Sequence, residues 1–280
     1  MDAMLDGIEF WLGHPAVQKM GWVLVHFVWQ GALVAGALAG VLALLRAERA
    51  RLRYALSLAA LGVLLALPVA TWLVLPAASP AASDAVSLGV PPADASLMLL
   101  TTPADAHASS AWMETARDAL AAALPWLVVA WLAGVCVLAV RLMGGWAYTV
   151  RLRRMYAAPV APAWQRRAEA LAERLGVGRP VRVRQSARIG VPVVVGWMRP
   201  VVLVPVSVFT GLPPEQVEAL LAHELAHVRR HDVLVGRLQA VAETLLFYHP
   251  AVWWVSRQVR VEREHCCDDL VVQAFHDRIG

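Results

Sequence analysis

The chain has 280 residues, of which 59% are hydrophobic and 16% are charged. Soluble domains average about 45–50% apolar and about 25% charged residues, so this composition excludes an ordinary soluble domain and favours a membrane protein. The formal charge of +4 comes from arginines that flank apolar segments, which is typical of membrane orientation, and we therefore expect no direct binding to nucleic acid.

Three apolar segments predict a transmembrane domain over residues 1–145. They cover residues 21–45, 54–75 and 119–140, and each is long enough to cross a hydrocarbon core about 30 Å thick. The connection over 76–117 is rich in Ala, Ser, Pro and Asp, so we expect a poorly ordered loop. This loop carries more acidic residues than arginines, whereas arginines cluster between the first two spans and after the third. The positive-inside rule therefore places the N-terminus and this loop outside the cell and the rest of the chain in the cytoplasm.

The second half of the chain, residues 146–280, predicts an α+β domain. Short β-rich runs bounded by Gly, Pro or polar residues predict a small sheet over 181–184, 192–197 and 201–204. Helical patterns and breaks predict helices over 163–175, 213–231, 233–247 and 251–275. The predicted fold is a mainly α membrane protein: three N-terminal transmembrane helices and a cytoplasmic α+β domain with a small β-sheet.

One predicted helix carries the pentapeptide His223-Glu224-Leu225-Ala226-His227. Two histidines four residues apart lie on one helix face, so their ring nitrogens can bind one zinc ion. Glu224 is rotated about 100° from His223 and is the expected catalytic residue, a general base that takes the proton of the attacking water. Because zinc also polarises a carbonyl, the motif predicts a metallopeptidase with one Zn²⁺ per chain.

A catalytic zinc site needs a third protein ligand and an open position. We expect Glu264 to be that ligand, because it shares a helix face with Asp268, which could then support a ligand histidine. Glu262, rotated about 160° from Glu264, would face elsewhere, yet it and a cysteine remain the alternatives. The downstream candidates from which this choice is made are Glu243, Glu262, Glu264, His249, His265 and the cysteines.

Further polar residues follow the motif. Asp232 could accept the N–H of a ligand histidine or cap the next helix, two roles that the sequence favours equally. His249 could steady an oxyanion in the cleft, although a turn residue before Pro250 is the preferred interpretation. Cys267 is expected to line the site as a small buried residue rather than as a ligand, and three cysteines, two of them adjacent, predict no disulfide framework. A solvated cytoplasmic face is predicted for Arg229, Arg230 and His231.

These motifs, preceded by three spans, resemble the integral-membrane metallopeptidases of the BlaR/MecR type over nearly the whole chain. The residues that carry the resemblance are 223–227, Asp232, the 248–254 helix break, the run 262–268 and the upstream run 196–205. The resemblance implies a gluzincin-like zinc domain in the cytoplasm, with Glu264 as third ligand, in a multi-pass protein of a bacterial-type inner (cytoplasmic) membrane. It also implies signalling, in which an outside event leads to cleavage of the protein itself or of a cytoplasmic repressor.

Receptors of this type continue into a fourth span and an extracellular penicillin-binding sensor domain, whereas the sequence given ends at Gly280. We therefore expect no β-lactam sensing from these residues. Besides the lipid bilayer, the expected partner is a peptide or protein substrate, and a homodimer is left open.

Two other functions compete with this interpretation. Quality-control membrane metalloproteases related to the CAAX-processing family have a similar ligand order, but three spans before the zinc helix argue against them. A non-catalytic zinc-binding signal transducer is the alternative from a different class. Glu224 argues against that alternative, because a purely structural zinc site has no need of a base.

Overall fold

The computed structural model describes residues 14–46, 48–76 and 104–276. Three long helices come first: α1 (Pro15–Leu44), α2 (Ala50–Val74) and α3 (Ala104–Met155). All three are long and apolar enough to cross a membrane, α3 from Thr115 onward. The prediction of three N-terminal transmembrane helices is thus confirmed.

The predicted outer loop over 76–117 is partly wrong. Its residues 77–103 lie outside the described part of the chain, but α3 begins at Ala104, so the segment 104–117 is helical. This segment is rich in alanine, which has the highest helix propensity of all residues. The prediction of a poorly ordered loop rests on the composition of the whole connection and does not consider the helix propensity of this alanine-rich end.

The chain divides into two compact units, Met1–Gln30 with Ala66–Gly134, and Gly31–Leu65 with Val135–Gly280. All three long helices contribute to both units. The predicted division into a membrane domain and a zinc domain at residues 145/146 stays a prediction.

The first unit consists of closely packed parts of α1, α2 and α3. A Cβ at Gly21 would lie 2.7 Å from the Cβ of Leu124, so a glycine is needed where α1 approaches α3. Gln30 of α1 and Thr71 of α2 share a hydrogen bond of 3.1 Å. A small residue and a polar pair thus hold these helices together.

The described residues of the second unit form a four-stranded sheet and, after α3, five further helices. Its elements after α3 are β1 (Ala158–Pro159), α4 (Pro162–Arg174), β2 (Arg182–Ser186), β3 (Val193–Val195), β4 (Val201–Pro205), α5 (Val206–Gly211), α6 (Pro214–Arg229), α7 (Asp232–Leu245) and α8 (Pro250–His276). The strand order is β1-β2-β4-β3, with β2 and β4 parallel and the outer pairs antiparallel. The small sheet is confirmed, although the two-residue strand β1 and the short helix α5 were missed.

Strand β4 is buried on both faces, which explains its uninterrupted apolar sequence. On one face Val202 and Val204 belong to the main core, to which α4 and α6 contribute Leu171 and Leu225. On the opposite face Leu203 packs with a smaller cluster that includes Leu152 of α3. The sheet therefore lies between the zinc-motif helix α6 and the end of α3.

Helix α6 is fixed on two sides. Leu221 and Leu225 are buried in the main core, whereas Ala226 forms a separate buried cluster with Cys267 and Leu270 of α8. His223 and His227 occupy the remaining face of α6, on the side of α8. His231 lies between α6 and α7, directly before the first residue of α7, and its backbone has a φ of 61°.

Candidate metal centre

The structure brings the three predicted zinc ligands together between α6 and α8. The Nε2 atoms of His223 and His227 each lie 3.5 Å from the same carboxylate oxygen, Oε2 of Glu264. The ligand atoms of these three residues are all within 4.8 Å of one another. The two imidazoles are nearly perpendicular, with ring centroids 4.9 Å apart.

These separations fit a metal ion better than they fit hydrogen bonds. A hydrogen bond between nitrogen and oxygen has a length of about 2.7–3.2 Å, and both distances of 3.5 Å exceed it. Tetrahedral zinc with bonds of about 2.0–2.1 Å sets its ligand atoms roughly 3.3–3.4 Å apart. The donor set of two imidazoles and one carboxylate also suits a catalytic zinc ion, which leaves a fourth position open.

Glu264 is oriented by its neighbour in sequence. Arg263 donates a hydrogen bond of 3.1 Å from Nε to Oε1 of Glu264. Oε1 is thereby engaged, and Oε2 is the oxygen that faces both histidines. The sequence pattern alone gave no role to Arg263.

Each histidine has a carboxylate at its other ring nitrogen. Nδ1 of His227 lies 2.8 Å from Oδ2 of Asp232, and Nδ1 of His223 lies 3.2 Å from Oδ1 of Asp268. A carboxylate at Nδ1 holds the proton there, so the lone pair of Nε2 is available to a metal. Asp232 and Asp268 thus each lie beside a histidine, which is the position that the predicted supporting role requires.

Asp232 is enclosed by further polar groups. The thiol of Cys267 donates to Oδ2 of Asp232 over 3.5 Å and lies 3.3 Å from Nδ1 of His227. Cys267 is therefore on the Nδ1 side of His227, opposite to the nitrogen that faces Glu264. Burial is the main cause of the raised pKa of this thiol, so it stays protonated as a donor.

The prediction of a solvated Arg230 is wrong. Its guanidinium lies 4.5 Å from the ring centre of Tyr54 on α2, and its Nε is 3.8 Å from Oδ1 of Asp232. Burial lowers the pKa of Arg230, but neighbouring acidic groups, Asp232 among them, outweigh burial and raise it. An aromatic face and a buried carboxylate together attract the side chain away from water.

Glu224 lies one residue from the first ligand and is 8% exposed. Burial raises the pKa of its carboxyl, while the neighbouring imidazoles of His227 and His223 oppose that rise. For His227, burial lowers the pKa, but the hydrogen bond to Asp232 and the Asp232 charge reverse the direction and raise it. With a metal ion held by the two histidines and Glu264, a buried carboxylate at this position would be suited to proton transfer.

Glu262, an alternative ligand in the sequence, has a different partner. It is 1% exposed, and its Oε1 accepts a hydrogen bond of 2.7 Å from Nε of Arg53 at the start of α2. Nη1 of Arg53 also donates to the carbonyls of Leu42 and Leu45, at 2.8 and 3.2 Å, where α1 ends. This ion pair therefore ties the α1–α2 connection to the helix that carries Glu264.

His249 lies at the start of α8 and is 5% exposed. Its Nδ1 accepts a hydrogen bond of 3.1 Å from the backbone N–H of Ala251. A Cβ at Gly31 of α1 would lie only 2.8 Å from the imidazole. His249 thus lies in a turn before Pro250, as the preferred interpretation has it, and the structure adds that this turn packs against α1. An oxyanion role stays a prediction.

The sequence does contain a signal for the buried ion pair. Val255, Val259, Glu262 and Cys266 are spaced by four, three and four residues and are all buried on α8. An acidic residue on an otherwise apolar helical stripe requires a cationic partner. Four arginines lie at 46, 49, 51 and 53, but the sequence alone indicates only their role as orientation charges.

Sequence comparisons agree with this geometry. A sequence model of the family described as BlaR1 peptidase M56 matches residues 32–279. The regulatory protein BlaR1 of Bacillus licheniformis is 26% identical over 109 residues, which are 38% of this chain and 18% of that protein. The methicillin resistance mecR1 protein of Staphylococcus aureus is 25% identical over 96 residues, which are 34% of this chain and 16% of the relative.

The chain thus matches less than a fifth of the length of these relatives. The family match, by contrast, includes the C-terminal part of α1, all later elements and every residue of the candidate metal centre. Three helices that can cross a membrane agree with this match. The chain is a membrane protein that belongs to the BlaR1 peptidase M56 family.

Proposed function

We propose that the chain is a zinc-dependent endopeptidase that acts in transmembrane signalling. The observation that carries the proposal is the pair of 3.5 Å separations between the two Nε2 atoms and one oxygen of Glu264. In this proposal His223, His227 and Glu264 hold one zinc ion, and Asp232 and Asp268 orient the two histidines. Bound zinc supplies Lewis acidity, which polarises a scissile carbonyl and makes water more acidic.

Glu224 moves the proton in this proposal. Its carboxylate takes a proton from the attacking water and passes it to the nitrogen of the departing amine, so that no net charge accumulates on the enzyme. Burial of Glu224 keeps competing water away from the carboxylate. A non-catalytic transducer would need the three ligands but not this side chain.

The substrate has a suitable binding edge next to the site. β3 is at one end of the strand order, and it packs against α6, which carries both histidines. An extended peptide can add a strand to such an edge through backbone hydrogen bonds. We propose that the substrate chain pairs with β3 and crosses the solvent-accessible side of His223 and Glu264.

The direction of signalling follows from the arginine distribution and from the resemblance. The zinc domain faces the cytoplasm, and cleavage acts on a cytoplasmic protein such as a repressor or on the chain itself. The name of one relative, a regulatory protein, supports a regulatory rather than a digestive peptidase. The sequence preference of the cleavage site is left open.

The proposal is tested by measuring zinc content and cleavage together. The full chain, purified in a mild detergent, should contain one zinc ion and cleave itself or a denatured protein such as casein. A chelator should abolish cleavage, and added Zn²⁺ should restore it. A chain that cleaves equally well after its metal has been removed would overturn the proposal.

A further inference from the structure

A cavity of about 490 Å³ lies at the junction between the end of α3 and the sheet. It is separate from the metal centre, since its lining includes none of the zinc-site residues. Five arginines line it: Arg153, Arg154, Arg182, Arg184 and Arg199.

The fold, not the sequence order, brings these arginines together. Arg153 and Arg154 are in the last turn of α3. Arg182 and Arg184 alternate along β2 with the buried Val183, so both side chains are on the sheet face opposite to the main core. Arg199 lies in the turn between β3 and β4, two residues before β4 begins. Three separate segments thus contribute positive charge to one concave surface.

No carboxylate neutralises this charge within the described residues, where none of the five arginines forms an ion pair with Asp or Glu. Arg184 donates to two carbonyl oxygens near the end of α3, those of Arg153 at 3.4 Å and Ala157 at 3.3 Å. These contacts position its guanidinium without cancelling its charge. Several like charges around one cavity repel one another unless an anion binds between them.

Gly196, in the turn between β3 and β4, lies close to two of the cavity arginines, Arg153 and Arg199. Gly196 has a φ of +90°, and a Cβ at this position would lie 2.9 Å from the carbonyl oxygen of Arg199 and 3.0 Å from Nη1 of Arg153. A side chain here would be strained and would displace the Arg153 guanidinium. The turn is therefore compatible with this approach of Arg153 only if it carries glycine.

The end of α3 also indicates where the cavity lies relative to the bilayer. Trp146 and Tyr148 are 61% and 57% exposed, and such side chains favour the level of the lipid head groups. Arg153 follows Tyr148 by five residues, a rise of about 7–8 Å along the helix. The head-group layer is about 5–8 Å thick on each side of the hydrocarbon core. With Trp146 and Tyr148 at the head-group level, Arg153 and Arg154 lie near the outer edge of that layer.

We propose that this cavity binds the phosphate-bearing head group of an anionic phospholipid in the leaflet where α3 leaves the membrane. Arginine suits this ligand because its planar fork donates two parallel hydrogen bonds to phosphate oxygens. A volume of about 490 Å³ accommodates a head group. The bound lipid joins the end of α3 to the sheet that supports the zinc helix.

The test compares lipid binding by two double variants with the same loss of charge. Arg182→Gln with Arg199→Gln removes two arginines of the cavity, whereas Arg166→Gln with Arg257→Gln removes two exposed arginines elsewhere on the domain. The full chain is reconstituted in nanodiscs of phosphatidylcholine with increasing phosphatidylglycerol. Retained lipid is counted by native mass spectrometry, and affinity is measured with a fluorescent phosphatidylglycerol.

We expect the wild type and the Arg166/Arg257 variant to retain one anionic lipid. The lipid affinity of the Arg182/Arg199 variant should be lower by at least about tenfold, since each arginine near an anionic surface contributes a several-fold gain in affinity. The affinity of the wild type should also fall as salt is raised. If the first variant does not fold, as judged by circular dichroism, Arg154→Gln with Arg199→Gln replaces it with the same expectation.

Three results would overturn the proposal. Equal weakening in both double variants would show a general effect of net charge. Binding of inorganic phosphate with the affinity of the lipid would assign the cavity to a free anion instead. Unchanged lipid retention in the Arg182/Arg199 variant would show that the cavity does not take the head group.

Discussion

Replacement of Asp232 by asparagine should weaken zinc binding more than the same change at Asp268. Both carboxylates contact Nδ1 of a histidine, but their surroundings differ. Asp232 is 4% exposed and lies 2.8 Å from its histidine, whereas the side chain of Asp268 is 66% exposed and lies 3.2 Å from its own. Water and salt screen the exposed contact but not the buried one.

The expected magnitudes follow from these surroundings. Loss of a carboxylate that supports a ligand histidine weakens metal binding by about 10–100-fold, or roughly 1.4–2.7 kcal/mol. We expect this range for Asp232→Asn. For Asp268→Asn we expect about fivefold or less, since exposed charged contacts contribute about 0–1 kcal/mol. Asp269→Asn is the matched control, because Asp269 is an exposed neighbour on the same helix.

The assay is a competition for zinc between the purified chain and a chromophoric chelator, at fixed pH and ionic strength. Asparagine keeps the shape of aspartate, and circular dichroism verifies that the buried variant is folded. Equal losses for Asp232→Asn and Asp268→Asn would refute the argument from burial. A comparable loss of zinc affinity in Asp269→Asn would show that the effect comes from net charge alone.

Three further predictions address the ligand set, the helix packing and the topology. Glu264→Ala should remove most of the bound zinc. Glu262→Ala should keep zinc but lower the free energy of unfolding by about 1.5–3 kcal/mol, because it removes the charged hydrogen-bond partner of the partly buried Arg53. Metal analysis and thermal melting measure the two effects, and the reverse pattern would indicate that Glu262 is the ligand. Gly31→Ala should lower the melting temperature, because a Cβ there would lie 2.8 Å from the His249 imidazole and such overpacking costs about 1–3 kcal/mol. Gly36→Ala is the control, since a Cβ at Gly36 would meet no atom within 4 Å. Equal melting temperatures of the two variants would contradict the close contact at Gly31. In Asp94→Cys, the introduced thiol should react with a membrane-impermeant reagent on intact cells. Reaction only after permeabilisation would show that the orientation is opposite to the proposed one.

The sequence predicts well where local pattern decides the structure. Long runs of apolar residues predict the three spans, and the helical spacing of apolar residues predicts the helix that carries the histidine motif. Both patterns depend on which side chains contact water and therefore need no knowledge of distant segments. Glu264 and Asp268 were chosen because a spacing of four places them on one face of α8, and the structure has both beside the histidines. Their roles in holding zinc stay predictions that the experiments above address.

The sequence fails where distant segments meet. Arg53 and Glu262 are 209 residues apart along the chain, and no periodicity connects them. The sequence predicts a solvated face for Arg229, Arg230 and His231, yet the guanidinium of Arg230 lies against Tyr54 of another helix. The strand β1 has only two residues, Ala158–Pro159, which are too few for an alternating pattern. Its position depends on pairing with β2 rather than on its own propensity.

The central claim is that the metal centre catalyses peptide hydrolysis with Glu224 as its base. Its most direct test is Glu224→Gln, which keeps the volume of the buried side chain but cannot accept the proton. We predict that wild type and variant bind the same amount of zinc, and that cleavage of casein or of the chain itself falls by about 10²–10⁴-fold in the variant. Equal cleavage by two proteins with equal zinc content would contradict the account.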